Sequence, residues 1–155
     1  MKPLTACLLL LLFCSATATA AEGKALARVE IIRAPRGETP VHQIVQKELR
    51  RARENRRVLV VYVGAPWCEP CKRFHDAIET GVLDEVFPTL RLLEFDRGLD
   101  ESRLAADGYV SRLIPLFVVP RPDGRASERS IEGSIKGPGA ISNIVPRLKR
   151  LLETP

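Results

Sequence analysis

The stretch Val58 to Phe74, VLVVYVGAPWCEPCKRF, constrains this chain more than any other. Val58 to Val63 is apolar at every position instead of every second one, and mostly β-branched. Such a run reads as a strand buried on both faces, at the centre of a sheet with helices on each side. Gly64-Ala65-Pro66-Trp67 then breaks it, and Cys68 and Cys71, separated by two residues, open a helix. Pro70 falls in the first helical turn, where a missing N–H costs little. The order strand, turn, cysteine pair, helix puts a thiol at a helix start.

The flanking segments supply the layers this strand needs. Arg28 to Arg33 (RVEIIR) reads as a short first strand, broken by Pro35-Arg36-Gly37. A helix is expected from Thr39 or Pro40, with Val41, Ile44, Val45, Leu49 and Ala52 on one face and Arg50, Arg53 and Arg57 largely opposite. Phe74, Ala77 and Ile78 continue the cysteine helix to Thr80-Gly81, and Val82 to Phe87 adds another turn or two before Pro88. Leu90 to Phe95 is the next strand, Ser102 to Asp107 a short helix, and Ile114 to Val119 an apolar strand with a proline near its start. Asp123-Gly124 supplies the positive φ of a hairpin turn, leading to a strand near Ser127 to Glu132. Ile141, Ile144, Val145, Leu148, Leu151 and Leu152 form a final amphipathic helix. Pro146 leaves two arrangements there: a helix that starts at Asn143, with Pro146 in its first turn, or one that starts earlier and is kinked. Alternating strands and helices followed by a hairpin and a terminal helix indicate an α/β sandwich around a mixed central sheet.

The amino terminus addresses the chain to an oxidising compartment. Met1-Lys2-Pro3, an apolar segment from Leu4 to Phe13, and a small-residue tail with Ala18-Thr19-Ala20 form the pattern of a secretory signal peptide over residues 1–20. Cleavage after Ala20 leaves residues 21–155 as one domain with a formal charge of +4, after Lys2 is lost from the +5 of the whole chain. A periplasmic or secreted protein is expected, a membrane-anchored or lipidated form less so. Phe13 is too bulky for a lipoprotein cleavage site before Cys14, and the apolar segment follows Cys7 instead of preceding it. Cys68 and Cys71 then remain as the thiols of the mature chain. One pair closing so small a ring constrains little of the unfolded chain, so a disulfide-stapled scaffold is excluded.

The basic balance does not imply nucleic acid. Its clusters, Lys47 to Arg57 and Arg147 to Arg150, lie on helices whose other face is apolar and read as solvated faces.

Trp67-Cys68-Glu69-Pro70-Cys71-Lys72, after an apolar strand and before a downstream Ile114-Pro115, resembles the thioredoxin family. The resemblance covers roughly Val58 to Leu152. It implies a thioredoxin fold, a central mixed β-sheet sandwiched by helices, and thiol–disulfide oxidoreductase activity through a redox-active Cys68–Cys71 disulfide, the first cysteine exposed and the second more buried. It implies a cis bond at Ile114-Pro115, facing the cysteines and offering backbone groups to an extended substrate, and a Trp67 that shields the nucleophile and touches substrate. Glu69 and Pro70 occupy the dipeptide that tunes the redox potential. The Cys-Glu-Pro-Cys motif is similar to that of secreted reductive thioredoxin-like proteins of cytochrome maturation, which favours a reductant. The expected partners are a protein disulfide substrate and a membrane-linked thiol reductase as electron donor, for a monomer with no bound cofactor.

The spacing explains the chemistry. Exchange needs a thiolate, and a free cysteine with a pKa near ~8.5 is mostly protonated at neutral pH. A helix start offers Cys68 unpaired N–H groups and the positive end of the dipole. Cys71, within one turn, can attack a mixed disulfide formed by Cys68 and release the substrate reduced. Cys68 is therefore assigned as nucleophile and Cys71 as resolving thiol. Glu69 should oppose ionisation of Cys68, whereas Lys72 and Arg73 favour it.

Two departures from the family pattern bear on that chemistry. Tyr62 stands where the family places a buried Asp, and Leu92 where it places the partnering Lys. Glu94 and Asp96 are the carboxylates that could substitute through water, although structural or surface roles are expected of both. His75, four residues after Cys71, shares its helix face, and with Cys68 gives three soft ligands. That set defines an alternative, a copper-binding protein, but a structural zinc site wants four ligands and only His42 remains as another histidine. A redox-inactive binding module is the third reading.

Overall fold

The computed structural model describes residues 28–153; the predicted signal peptide, with Cys7 and Cys14, lies outside them. The described chain forms strands β1 (Glu30–Arg33), β2 (Val58–Gly64), β3 (Leu90–Asp96), β4 (Leu116–Val118) and β5 (Ser130–Glu132), with helices α1 (Val41–Glu54), α2 (Glu69–Glu79), α3 (Arg97–Ala106) and α4 (Ala140–Glu153). The sheet order is β1-β3-β2-β4-β5. β1 and β2 flank β3 in parallel, β4 runs antiparallel to β2, and β5 pairs antiparallel with β4. With helices on both faces, this is the thioredoxin fold, and β2 is its buried centre.

The two-residue period of β2 sorts its side chains into two cores. Val60 and Tyr62 face Phe74, Ala77 and Ile78 of α2 and Ile144, Leu148 and Leu151 of α4. Leu59, Val61 and Val63 face Val41, Val45 and Ala52 of α1 and Leu104 of α3. On the first side the rings of Tyr62 and Phe117 lie 5.1 Å apart, and those of Phe74 and Phe117 meet edge to face at 5.0 Å. Each such pair contributes about 0.5–1.5 kcal/mol beyond its buried area. This cluster is the floor on which α2 presents the cysteines.

Several elements differ from the sequence expectation for identifiable reasons. α3 begins at Arg97, not Ser102, because Asp96 caps it: its carboxylate accepts from the N–H groups of Gly98 and Leu99 at 2.8 and 3.3 Å. The segment 82–86 forms turns, as expected, and the Phe87 N–H donates to the Leu83 carbonyl at 2.9 Å. α4 starts at Ala140, so Pro146 lies inside it and the start at Asn143 is excluded. Arg57, expected on a solvated face, folds back onto Glu30 at 2.9 Å.

The Asp123-Gly124 turn also differs, because β4 ends at Val118 and β5 starts at Ser130. Tertiary contacts seat this turn on α1. Gln46 donates to the Asp123 carbonyl at 3.0 Å, and the buried Tyr109 hydroxyl to that of Gly124 at 2.7 Å. Gly124 sits at φ +80°, and a β-carbon there would lie 2.2 Å from the His42 carbonyl oxygen, so the backbones touch where only glycine fits. Buried Asp107 completes the joint, accepting from the His42 N–H at 2.8 Å and pairing with Arg125 at 3.0 Å.

Candidate active site

β2 delivers the chain to the cysteines at the carboxyl end of the sheet. Cys68 takes the N-cap position of α2 at φ −82° and ψ 106°, its own N–H donating to the Ala65 carbonyl at 3.0 Å. Its Sγ accepts from the Cys71 N–H at 3.2 Å. The sulfur thus receives one of the donors that a helix start leaves without an intrahelical partner. Cys68 and Cys71 are joined in a disulfide with their Cα atoms 5.2 Å apart.

Cys68 is 4% exposed and Cys71 2%, which corrects the expectation of an exposed first cysteine. The cap explains the difference: the Cys68 sulfur is folded back over the first turn, onto the Cys71 N–H, and bonded to its partner. Trp67 remains outside at 72% exposure, so simple core packing is not its role.

The Ile114–Pro115 peptide bond is cis. β4 pairs Leu116 with Val63 of β2, so Pro115 sits one step further along the register, toward Gly64 and the cysteine turn. Ile114 packs against the cluster that holds both cysteines. The loop is held from the β5 side: the Pro115 carbonyl accepts from the Gly133 N–H at 2.8 Å, and the Glu132 carboxylate accepts from the N–H groups of Arg112 and Leu113 at 2.8 and 3.3 Å. Arg147 of α4 donates to the carbonyls of Glu132 and Gly133 at 2.7 and 2.8 Å.

Glu69 does more than occupy the dipeptide. Its carboxylate pairs with Arg73 one helical turn on and accepts from the Gly137 N–H at 3.2 Å. The hydrogen bond from Arg73 chiefly, with the Gly137 N–H in support, holds its carboxyl below the usual range. The active-site turn is thereby tied to the loop before α4, a connection the sequence does not reveal.

Behind the disulfide lies a cleft of about 450 Å³, lined by Tyr62, Cys71, Lys72, His75 and Glu94. Tyr62 is fully buried, and its hydroxyl has no hydrogen-bond partner among the described residues. Burial, reinforced by the nearby Glu94 charge, pushes its pKa up. Its ring fits because position 64 is glycine: a β-carbon there would lie 2.8 Å from the phenol oxygen. Leu92 is buried in the same cluster, and no lysine takes its place.

Glu94 and Asp96 both line this cleft, and Glu94 is the carboxylate that meets His75. It meets Nε2 of His75 at 2.7 Å and Nε of Arg33 at 3.6 Å, whereas Asp96 is engaged as the α3 cap. The hydrogen bond to Glu94 raises the His75 pKa against an opposing effect of burial. Sequence reading singled out His75 and Glu94 separately. What it missed is their pairing across α2 and β3.

Nε2 of His75 is thus committed to Glu94, and among the described residues no group of three or more His, Cys, Asp or Glu side chains is arranged to hold a metal ion. Pro70 is buried in the first turn of α2.

No protein-family model matches the chain, and no curated protein matches it. Solved structures that resemble it include thioredoxins. Thioredoxin O1 from Arabidopsis thaliana is 16% identical, with 80% of this chain and 96% of that one covered and a TM-score of 0.48. A mutant thioredoxin from Halobacterium salinarum is 22% identical, over 80% and 88% of the two chains, at 0.48. A poplar thioredoxin h is 17% identical over 83% and 99%, at 0.47.

Proposed function

We propose that this chain is an extracytoplasmic thiol–disulfide oxidoreductase that reduces protein disulfides through Cys68 and Cys71. The observation that carries the reading is the position of Cys68: N-cap of α2, sulfur accepting a backbone N–H, and bonded to a cysteine three residues on. A helix-start N–H donor and the positive end of the helix dipole favour the thiolate form, and this is what a nucleophilic thiol requires.

In the reduced form the Cys68 thiolate attacks a substrate disulfide, forming a mixed disulfide and expelling the first substrate thiolate. Cys71 then attacks the Cys68 sulfur, the Cys68–Cys71 bond forms, and the second substrate thiol departs. Two electrons pass from the dithiol to the substrate. Trp67 and the Ile114–Pro115 backbone form the platform for the substrate chain. Glu69 and Pro70 adjust the thiol chemistry from within the motif.

The signal-peptide pattern over residues 1–20 supports a periplasmic or secreted location. Thiols there are oxidised unless a donor maintains them, so the reading includes a membrane-linked thiol reductase as electron source. The chain acts as a monomer, without a bound cofactor.

The test is the reduction of insulin disulfides by the chain without residues 1–20, supplied with a dithiol reductant. Turnover that is lost in both Cys68→Ser and Cys71→Ser supports the dithiol mechanism; normal turnover in Cys71→Ser sinks it. The reduction potential decides direction: a value near ~−270 mV fits a reductant, and one near ~−120 mV makes the chain an oxidant.

A further inference from the structure

Cys71 must lose a proton before it can attack, and at 2% exposure it has little direct contact with bulk water. The cleft of about 450 Å³, lined also by the exposed Arg36, Lys72 and Leu99, reaches it from the surface and is wide enough to admit water. Polar and titratable side chains line this cleft. The buried Tyr62 hydroxyl beside it has no hydrogen-bond partner among the described residues. His75 and Glu94, also on the wall, form a 2.7 Å pair, with the imidazole four residues after Cys71 and its ring centroid 5.7 Å from that of Tyr62.

We propose that His75 is the proton acceptor for Cys71, acting through water in this cleft, with Glu94 as its positioning residue. The proposal rests on the reading of Cys68 and Cys71 as an exchanging dithiol. Glu94 takes the Nε2–H of His75, which fixes the tautomer and leaves Nδ1 as the basic nitrogen.

Nδ1 receives the Cys71 proton through water, and the imidazolium is stabilised by the Glu94 carboxylate. The Cys71 thiolate attacks the Cys68 sulfur, the Cys68–Cys71 bond forms, and the bond from Cys68 to the substrate sulfur breaks. The departing substrate thiolate takes a proton from solvent, and His75 releases its proton to solvent and returns to neutral.

Other groups set the field at this imidazole. Arg33 of β1 opposes the positive charge, and Glu79 of α2 favours it together with Glu94 of β3. From β2 Tyr62 presents a neutral phenol, and Lys72, Arg36 and Asp96 line the cleft beyond. An imidazole whose affinity for the proton is raised from its ordinary value near 6.5 is suited to proton transfer close to neutrality.

The test isolates the resolving step. The reduced chain is mixed rapidly with an aromatic disulfide that releases 5-thio-2-nitrobenzoate, one equivalent when Cys68 attacks and a second when Cys71 resolves. That leaving group departs as a stable thiolate, so the second phase reports removal of the Cys71 proton and not protonation of the product. In His75→Gln the ratio of second- to first-phase rates should fall by about 10-fold or more at pH 7. The rise of the second phase with pH should also move up to the titration of an unassisted buried thiol. Glu94→Gln should show the same change in smaller measure, and it decides the matter if His75→Gln disturbs the fold. An unaltered second-phase pH profile in a folded variant overturns the proposal. A wild-type chain that releases one equivalent only, or a Cys71→Ser variant that releases two, defeats the dithiol reading itself.

Discussion

The phenol oxygen of Tyr62 lies 2.8 Å from the point that a β-carbon on Gly64 would occupy, so a large residue in the central strand is accommodated by the absence of a side chain two residues on. Both positions belong to one face of β2, and neither works with an ordinary neighbour. Gly64→Ala should destabilise the oxidised chain by about 1–3 kcal/mol through overpacking. Tyr62→Phe should leave stability unchanged or raise it by about 1 kcal/mol, because the hydroxyl it removes has no partner among the described residues. Urea unfolding of the two variants checks both signs.

Glu69 couples the cysteine turn to the loop at Gly137, and its carboxyl is held below the usual range. A depressed carboxyl keeps its interaction above the ordinary carboxylate pKa and loses it as the pH falls through its folded value. The amide resonance of Gly137 should therefore titrate at a pH below that of a free glutamate. In Glu69→Gln that titration should vanish. Removing the negative charge beside Cys68 should also lower the thiol pKa, read from the pH dependence of alkylation in a Cys71→Ser background.

For His75 the sign is opposite. Glu94 raises its folded pKa, so the unfolded chain releases the proton first. The stabilisation is complete below about 6.5 and is lost as the pH rises through the folded value. The stability difference between wild type and His75→Gln, measured by urea unfolding from pH 5.5 to 8.5, should be largest at the acid end and shrink toward the alkaline end.

Gly124 gives a test of the fold remote from the cysteines. Alanine there would hold φ +80° with a β-carbon against the His42 carbonyl, and should cost about 3 kcal/mol. Tyr109→Phe, which deprives the Gly124 carbonyl of its buried donor, should cost about 1–3 kcal/mol. Thermal unfolding should rank the two in that order.

How much of this was legible in the sequence depended on how local the cause was. The central strand followed from the unbroken apolar run at Val58 to Val63, and the helix start at Cys68 from the turn and from Pro70. The cap at Asp96 was local too, but Arg97-Gly98 reads as a break unless the carboxylate is seen to satisfy two N–H groups. The pairs His75–Glu94 and Glu69–Gly137 join residues on different elements, and no periodicity marks them. The burial of Cys68 was not legible either, because it comes from the direction of one sulfur and not from the pattern around it.

Trapping decides whether Cys68 attacks and Cys71 resolves. A Cys71→Ser variant incubated with a protein disulfide and analysed by mass spectrometry should accumulate a mixed disulfide on Cys68, dissociable by dithiothreitol, while the wild-type chain turns over and accumulates none. Failure of Cys71→Ser to form that adduct, or its release of reduced substrate at the wild-type rate, would contradict the account.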